Sequence, residues 1–451
     1  MSCLPYRNYN VMDEEQLIYL AVVGFHHSKG YQIEFCYPEI RDVDNTWMSS
    51  YLAPLGLPDG AHNFAADTVY FRFRDAENRP VWGVCSYRQV DSASYKDADP
   101  EVTRSAIQKS VCLVGRGALP PWRTAAARLE PIAHAFIQHQ DSEVLHGVYD
   151  SLKTVSGSTL YRSLQATLCD PPAIKNEGGE CIANGRRRVM IADVPDELLL
   201  ELRSVLEKYD TRMLTLLKLR LLGKKVLFMS SDLPTQLMCS EILALEAAVP
   251  GRSMCLPYIT LSMMEDPVVA QCTGFVGASN RLYKQKWRDQ FEALVENSNL
   301  LFADKSLERL VSPTQADLRF IDWLQKTCRQ SRCHWEGSEE WLRSQLEDYF
   351  RGMRLAVEAS GVEGDKLKTA YGVGFVQEVS KLDEVVRWLS SYGENTELSE
   401  NGDNISCGGV TAASGRNEQS GHPGAGQPSL QDVKLRLVHH AKGLMAHFNN
   451  F

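Results

Sequence analysis

Short apolar runs with the alternation typical of β-strands dominate the first part of the chain. Polar segments of hairpin length separate them into two pairs. The four runs span 17–25, 31–37, 68–74 and 81–88. A fifth run, 109–114, predicts another strand, and Pro121 with the alanine-rich stretch after it predicts a helix to about residue 138. Strands followed by a helix indicate an α+β module.

A second module is predicted after segment 169–195, which is rich in Gly, Pro and Asn and is typical of a loop between domains. Beyond this loop, helix and strand patterns alternate in the manner of an α/β unit. The predicted elements are a helix over 212–222, a strand over 226–230, a helix over 235–249 and a strand over 268–275.

The rest of the chain has a helical pattern and then changes character. Over 284–391, four tryptophans are available as anchors for helix packing, namely Trp323, Trp335, Trp341 and Trp388. Segment 392–428 has few large apolar residues and predicts a disordered linker. Helical spacing returns over 429–451, which begins with a capping box and predicts a terminal amphipathic helix. The basic residues of that helix suit either an anionic membrane surface or the protein's own core.

Composition narrows the class of protein. A chain of 451 residues predicts two or three domains, and a net charge of −9 argues against a dedicated nucleic-acid binder. No signal peptide and no transmembrane span are predicted, because the longest early apolar run is about half the length of a bilayer-crossing helix. Twelve dispersed cysteines indicate reduced thiols. We therefore expect a cytoplasmic protein.

Motifs for metal binding are incomplete. Cys328, Cys333 and His334 resemble half of a zinc site, but no second pair of ligands follows at the spacing of a zinc finger. His26 and His27 lie in a predicted turn without a nearby cluster of carboxylates or cysteines. The sequence therefore predicts no resident metal.

Motifs for covalent catalysis and nucleotide binding are also incomplete. The Ser-Gly-Ser at 156–158 does not match the nucleophile elbow of hydrolases. The Gly-Val-Gly at 372–374 lacks the third glycine of a dinucleotide fingerprint, and the chain has no Gly-Lys-Ser/Thr phosphate loop. We expect a protein without a cofactor that acts by binding partners.

Several phrases, read in order, resemble DENN-domain proteins, and in particular their Avl-type late secretory pathway branch. The phrases are VVGFHH at 22–27, LPDGAHN at 57–63, CSYRQ at 85–89, QKSVC at 108–112, GKKVLF at 223–228, TQADLRF at 314–320, WEG at 335–337 and DVKLR at 432–436. The similarity runs from about residue 17 to about residue 437, always in the same order.

The resemblance implies an α/β, bilobed and tripartite DENN fold. Its parts are an upstream longin-like α/β module over 17–165, a central α/β module over 195–283 and a downstream helical module over 284–391, after which come the predicted linker 392–428 and the predicted terminal helix 429–451. It also implies a Rab-family GTPase as partner, bound between the two α/β lobes, and exchange of GDP for GTP. The expected location is cytoplasmic, with peripheral association to Golgi-derived or endosomal membranes.

The candidate partner-binding residues come from the matching phrases and are Asp59, Arg88, Gln89, Lys224, Lys225, Asp317 and Arg319. Five of them have a structural alternative. Asp59 lies in a Pro-Asp-Gly turn, and the two lysines mark either a lobe edge or a solvated turn. Asp317 and Arg319 form either a polar brace or a charged surface.

Nucleotide exchange needs no acid, base or nucleophile, because a factor that binds the nucleotide-free GTPase more tightly weakens nucleotide binding by linkage. Any magnesium belongs to the GTPase. A Rab effector or trafficking scaffold without exchange activity is the alternative function. A metal-dependent enzyme would rest only on Cys328, Cys333 and His334.

Overall fold

A computed structural model of the chain describes residues 17–26, 28–74, 80–92, 106–116, 122–139, 142–156, 202–249, 255–330 and 336–397. Within these residues, two five-stranded sheets are followed by a helical region. The predicted loop 169–195 and the predicted terminal helix 429–451 lie outside the described residues. The mixed α/β class expected from the sequence is confirmed.

The first sheet is antiparallel and confirms both predicted hairpins. Its strands are β1 (Leu17–His26), β2 (Gly30–Tyr37), β3 (Ala66–Arg74), β4 (Pro80–Asp91) and β5 (Ala106–Arg116). They lie in the order β2-β1-β5-β4-β3. Gly30 adopts a φ of 77° at the first hairpin, a backbone conformation that a side chain would oppose. This order leaves β2 and β3 at the two edges of the sheet.

Helices cover the first sheet. They are α1 (Asp42–Trp47), α2 (Ala53–Gly56), α3 (Trp122–His139) and α4 (Ser142–Ser156). The helix predicted over 121–138 corresponds to α3, which packs on β4 and β5, whereas α4 packs on β1 and β2. The fully buried Leu129 of α3 and Leu145 of α4 join these helices to the core.

The second sheet is mostly parallel and is built from alternating helices and strands. The elements are α5 (Leu202–Tyr209), α6 (Arg212–Leu221), β6 (Val226–Met229), α7 (Thr235–Ala247), β7 (Leu256–Ile259), α8 (Pro267–Gln271), β8 (Phe275–Ala278), α9 (Leu282–Gln290), β9 (Ala293–Glu296) and β10 (Asn299–Phe302). The order is β10-β9-β6-β8-β7. Strands β6, β7 and β8 are buried on both faces, as parallel strands covered by helices must be.

Two sequence predictions fail in this unit. The strand predicted over 268–275 is wrong, because 267–271 forms α8 and the strand begins only at Phe275. The Asp266 carboxylate accepts the Val268 N–H at 2.8 Å and starts this helix, with Pro267 in its first turn. The boundary predicted at 283 is also displaced, because the hairpin of β9 and β10 completes the same sheet as β6.

Helices follow to the end of the described chain, as the sequence predicts. They are α10 (Lys305–Val311), α11 (Gln315–Gln330), α12 (Glu339–Glu358), α13 (Gly361–Tyr371), α14 (Val373–Ser380) and α15 (Asp383–Glu397). Trp341 is buried and contacts Trp323 with ring centroids 5.3 Å apart, whereas Trp335 lies outside the described residues. Helix α15 continues past residue 392, where the linker was expected to begin.

A buried ion pair joins the helical region to the second sheet's helices. Lys218 Nζ of α6 lies 2.6 Å from Asp317 Oδ2 of α11, and both side chains are 1% exposed. Lys218 also donates to the Tyr371 carbonyl at 3.1 Å, and Asp317 Oδ1 accepts the Tyr349 hydroxyl at 2.9 Å. Four helices therefore meet at one satisfied pair of charges.

Candidate partner-binding site

The carboxyl ends of β6 and β8 form the topological switch point of the second sheet. β6 and β8 are neighbours in the sheet. From β6 the chain passes through α7 to β7, which lies on the β8 side of this pair. From β8 it passes through α9 to β9, which lies on the β6 side. Right-handed crossovers place α7 and α9 on opposite faces of the sheet. In open α/β sheets, the crevice at such a point is where ligands bind.

A carboxylate from the first sheet occupies the start of α7. Asp67 of β3 accepts the Thr235 N–H at 2.8 Å and the Gln236 N–H at 3.1 Å, and its Oδ1 also accepts the Thr68 N–H at 2.8 Å. Pro234, which precedes α7, provides no side-chain cap. Burial raises the pKa of Asp67, and the hydrogen bonds from Thr235 and Gln236 oppose that rise. The helix N-terminus, a position that suits phosphate in other α/β proteins, thus holds the two sheets together.

We expect Asp67→Ala to lower the free energy of unfolding by about 1–2 kcal/mol, because it removes the cap of α7. Asp67→Asn should be nearly as damaging, since its amide N–H₂ would face a backbone N–H donor. Chemical denaturation of both variants measures this. An Ala variant as stable as the wild type would show that Asp67 does not cap the helix.

Asp59 lies in a closed ring of hydrogen bonds between the two sheets. Its N–H donates to Tyr258 Oη at 2.6 Å, the Tyr258 hydroxyl lies 3.1 Å from Ser279 Oγ, and Ser279 Oγ donates to the Asp59 carbonyl at 2.7 Å. The Asp59 carboxylate accepts the Leu261 N–H at 2.8 Å. Burial raises the pKa of Asp59, although the hydrogen bonds from Leu261 and Asn280 oppose the rise. The Pro-Asp-Gly turn is thus a joint between the sheets.

The raised pKa of Asp59 predicts a pH dependence. The folded state binds a proton at this carboxyl more tightly than the unfolded state, so stability falls as pH rises from about 4 through the raised pKa. Asp59→Asn lacks this loss and keeps an acceptor for Leu261. We expect the stability of the variant relative to the wild type to increase over that pH range, measured by urea unfolding at a series of pH values. A constant difference would contradict the assignment.

We call the contacts between the two sheets the seam. It consists of the contacts of Tyr51, Asp59, Asp67 and Tyr70 with residues 235–279. The Tyr51 hydroxyl donates to Asp266 Oδ2 at 2.9 Å. Burial and then the neighbouring carboxylate raise the pKa of Tyr51 to about 12, which keeps the hydroxyl protonated at neutral pH. The edge strands β3 and β7 are also in contact along the seam. The two sheets therefore form one continuous structure.

An exposed apolar surface borders the seam. The Asp232 and Arg281 side chains form an ion pair at 2.7 Å between the loop after β6 and the loop after β8. The next residues, Leu233 and Leu282, are 46% and 45% exposed, and Leu237 in the first turn of α7 is 51% exposed. We call Asp232, Leu233, Leu237, Arg281 and Leu282 the edge patch. Exposed apolar side chains beside solvated charges are typical of a protein-binding surface.

Asn280 links the edge patch to Asp59. Its Oδ1 accepts the Leu282 N–H at 3.0 Å, and its side chain donates to the Asp59 carboxylate. The charge of Asp59 also contributes, after burial, to the raised pKa of Tyr31, which is 40% exposed on β2. Of the seven candidate residues, Asp59 is therefore the one that lies beside this surface.

Arg88 and Gln89 make contacts inside the first sheet's unit. Arg88 Nη2 lies 2.5 Å from Glu130 Oε1 of α3. Gln89 Oε1 accepts the Tyr87 hydroxyl at 3.0 Å and the Gln108 amide at 2.9 Å. These side chains hold α3 and β5 against β4. Their role in partner binding stays a prediction.

Lys224 and Lys225 precede β6 and lie at the end of that strand opposite the edge patch. The Lys224 N–H donates to the Leu219 carbonyl at 3.0 Å beside Gly223, whose φ is 65°, which supports the alternative of a turn. Lys225 Nζ donates to the carbonyls of Val269 and Ala270 at the end of α8. A cation is favourable there because the carbonyls at a helix C-terminus carry partial negative charge.

Asp317 and Arg319 separate into the two roles that the sequence left open. Asp317 is the buried brace with Lys218, whereas Arg319 is exposed on α11 next to Leu318, which is 37% exposed. The structure therefore does not bring the seven candidates together. Sequence reasoning missed Asp67 and the exposed leucines, because a carboxylate in a strand and leucines after a strand carry no local pattern.

Metal binding finds no support in the described part of the chain, where no group of three His, Cys, Asp or Glu side chains is placed to hold an ion. Cys328 is buried in α11, while Cys333 and His334 lie outside the described residues. His26 Nδ1 accepts the backbone N–H groups of Ser28 and Lys29 in the hairpin turn. No helix among the described ranges is both long and apolar enough to cross a membrane.

The described residues form a mixed α/β protein with an exposed apolar surface beside the joint between its two sheets. The family model described as "Transport protein Avl9" matches residues 17–252 and 249–357. This range includes both sheets, the seam and the edge patch. The chain belongs to the Avl9 family, a DENN-like family, as the resemblance in its sequence predicts.

Two relatives are described as late secretory pathway proteins. The chain is 27% identical over 374 residues to "Late secretory pathway protein avl9" of Schizosaccharomyces pombe, a match that covers 77% of this chain and 78% of the relative. It is 23% identical over 436 residues to "Late secretory pathway protein AVL9" of Saccharomyces cerevisiae, covering 77% of this chain and 52% of the relative. The match thus spans about half the length of the Saccharomyces cerevisiae protein.

Proposed function

We propose that this protein regulates vesicle transport in the late secretory pathway by binding a Rab-family GTPase at the edge patch and promoting exchange of GDP for GTP. The edge patch is the observation that carries the proposal, because three exposed leucines and a solvated ion pair meet where the two sheets join. The printed names of the relatives support a role in late secretory transport. The DENN resemblance supports a GTPase as the partner.

The chemistry of the edge patch suits a protein partner. Leu233, Leu237 and Leu282 offer apolar area that a partner would remove from water. The Asp232 and Arg281 side chains are 70% and 74% exposed, so their ion pair contributes little to stability and each charge can pair with a partner's charge instead. Exchange then requires only tighter binding of the nucleotide-free GTPase, since linkage weakens nucleotide affinity by the same factor.

In this proposal the first sheet with its covering helices is the longin-like module, and the second sheet with its helices is the central DENN module. The seam fixes their relative position through Asp67 and Asp59, so the edge patch is presented on a rigid joint. The protein would act in the cytoplasm, at the surface of Golgi-derived or endosomal membranes. Magnesium would remain a ligand of the GTPase and its nucleotide.

Release of a fluorescent GDP analogue from a panel of purified Rab proteins, in excess GTP, tests the proposal. We expect one Rab to release nucleotide faster when this protein is added. Leu237→Lys combined with Leu282→Lys should lower that acceleration roughly tenfold or more, because it places charge in an apolar interface. Leu318→Lys, an exposed leucine on α11, is the matched control and should leave it unchanged.

If no Rab responds, exchange activity is contradicted. Preferential binding of a GTP-loaded Rab in the same panel would identify an effector instead. If both lysine variants behave alike, the partner does not bind at the edge patch.

A further inference from the structure

Among the described residues, the outer edge of the second sheet is an apolar strand with no further strand paired to it. Strand β10 is the last in the order β10-β9-β6-β8-β7, and its residues are Asn, Leu, Leu and Phe. Natural proteins usually protect such an edge with charges, proline or a bulge, because it is a template for pairing with another strand. β10 contains neither charge nor proline.

The register of β10 shows which backbone groups face outward. A two-residue turn joins β9 to β10 and consists of Asn297 and Ser298, with φ of 49° and 65°. Glu296 and Asn299, which flank such a turn, form a pair joined by backbone hydrogen bonds. Bonded and non-bonded pairs alternate along an antiparallel ladder. The Ala303 N–H donates to the Glu292 carbonyl at 2.9 Å, which fits that alternation.

Residues 299, 301 and 303 therefore bond inward to β9, and the N–H and C=O groups of Leu300 and Phe302 point outward. None of these four groups has a backbone partner among the described residues. They form two donors and two acceptors, separated by one residue, along the open edge.

Leu301 lies between these outward-facing groups and is itself exposed. Its side chain is 47% exposed, whereas Leu294, its cross-strand neighbour on the same face, is fully buried. The covering of that face therefore ends before it reaches β10. Leu300 and Phe302, on the other face, are partly buried against the core.

We propose that β10 pairs with β10 of a second copy of this chain, antiparallel about a two-fold axis at Leu301. Leu300 of one copy lies opposite Phe302 of the second copy, and the reverse pair completes the set, so four hydrogen bonds satisfy all eight outward groups. The two Leu301 residues oppose each other as a non-hydrogen-bonded pair, with Cα atoms about 4.5 Å apart. Each leucine buries its exposed side chain against the other.

Self-complementarity favours a second copy over an unrelated strand. A two-fold interface places the same surface on both chains. The outward N–H and C=O groups must then be arranged symmetrically about one residue. The groups of Leu300 and Phe302 are symmetric about Leu301. The flanking pairs in this register are Asn299 with Ala303 and Ser298 with Asp304. No like charges oppose each other, so nothing in the flanks opposes the pairing.

Light scattering across a dilution series of the full chain tests the proposal. We expect a dimer that dissociates on dilution. Leu301→Lys should raise its dissociation constant roughly tenfold or more, because two like charges would face each other. Leu318→Lys should leave the dimer unchanged. A chain that stays monomeric at every concentration, or a dimer indifferent to Leu301→Lys, overturns the proposal.

A cross-link gives an independent measurement. At a non-hydrogen-bonded pair, Leu301→Cys brings two thiols within reach of a disulfide, so mild oxidation should give a covalent dimer on a non-reducing gel. The wild type and Leu318→Cys are controls for the native cysteines and should give none. A dimer that Leu301→Cys does not cross-link overturns the register.

Discussion

Lys218→Met will lower the free energy of unfolding by about 3–5 kcal/mol. The substitution removes the cation that lies 2.6 Å from Asp317 and leaves a carboxylate that is 1% exposed without its counter-charge. The remaining partners of that carboxylate are the Tyr349 hydroxyl and the Thr314 N–H, which are neutral donors. Because α6, α11, α12 and α13 meet at this pair, the loss should affect the whole helical region. Guanidinium unfolding followed by circular dichroism measures it.

The double variant Lys218→Met with Asp317→Asn measures how much of the lost stability comes from the interaction between the two charges. The amide introduced by Asp317→Asn keeps an oxygen for Tyr349, so we expect the double variant to lose less than the sum of the two single variants. Arg319→Ala, two residues from Asp317 but exposed, should change stability by less than about 0.5 kcal/mol. A small loss for Lys218→Met would show that the pair contributes little.

Gly277→Ala will lower the free energy of unfolding by about 3 kcal/mol, the upper part of the usual range for overpacking. A Cβ at this position of β8 would lie 2.1 Å from the Pro257 carbonyl oxygen, a backbone atom that no rotamer change can move. It would also approach Ile242 and Met238 of α7 at 2.9 Å. Strand β7 must therefore shift, and with it Tyr258, which binds the Asp59 N–H.

Gly147→Ala is the matched control, because it adds the same methyl group as Gly277→Ala. Gly147 lies within α4, and a Cβ there would meet nothing within 4 Å. Alanine is favoured over glycine in a helix, so this variant should gain about 0.5–1 kcal/mol. Thermal unfolding of the two variants should show opposite shifts, and equal shifts would contradict the close packing of β7 on β8.

The sequence predicted the elements whose apolar period is long and clear. The hairpins of the first sheet and helices α3, α6 and α7 have patterns that extend over two or more turns or over six or more strand residues. The strands of the second sheet have only four residues each, and β6, β7 and β8 are buried on both faces, so they lack alternation. That is why the predicted strand 268–275 combined the short helix α8 with the start of β8.

The candidate site depended on contacts that no local pattern reveals. Asp59 is a candidate because it lies in a matching phrase, but its role in the seam comes from Tyr258 and Ser279, which are 199 and 220 residues away in the chain. Asp67 caps a helix 168 positions later. The edge patch exists only because the loops after β6 and β8 meet. Such tertiary arrangements follow from the fold and not from composition or spacing.

The most direct test of partner binding at the edge patch is the affinity of this protein for a responding Rab. The affinity is measured for the nucleotide-free and the GTP-loaded Rab, with the wild type and with the double variant Leu237→Lys and Leu282→Lys. We predict that the wild type binds the nucleotide-free form more tightly and that the variant loses this binding while its unfolding temperature is unchanged. Equal binding by the variant, or a preference of the wild type for the GTP-loaded form, would contradict the proposed exchange function at this surface.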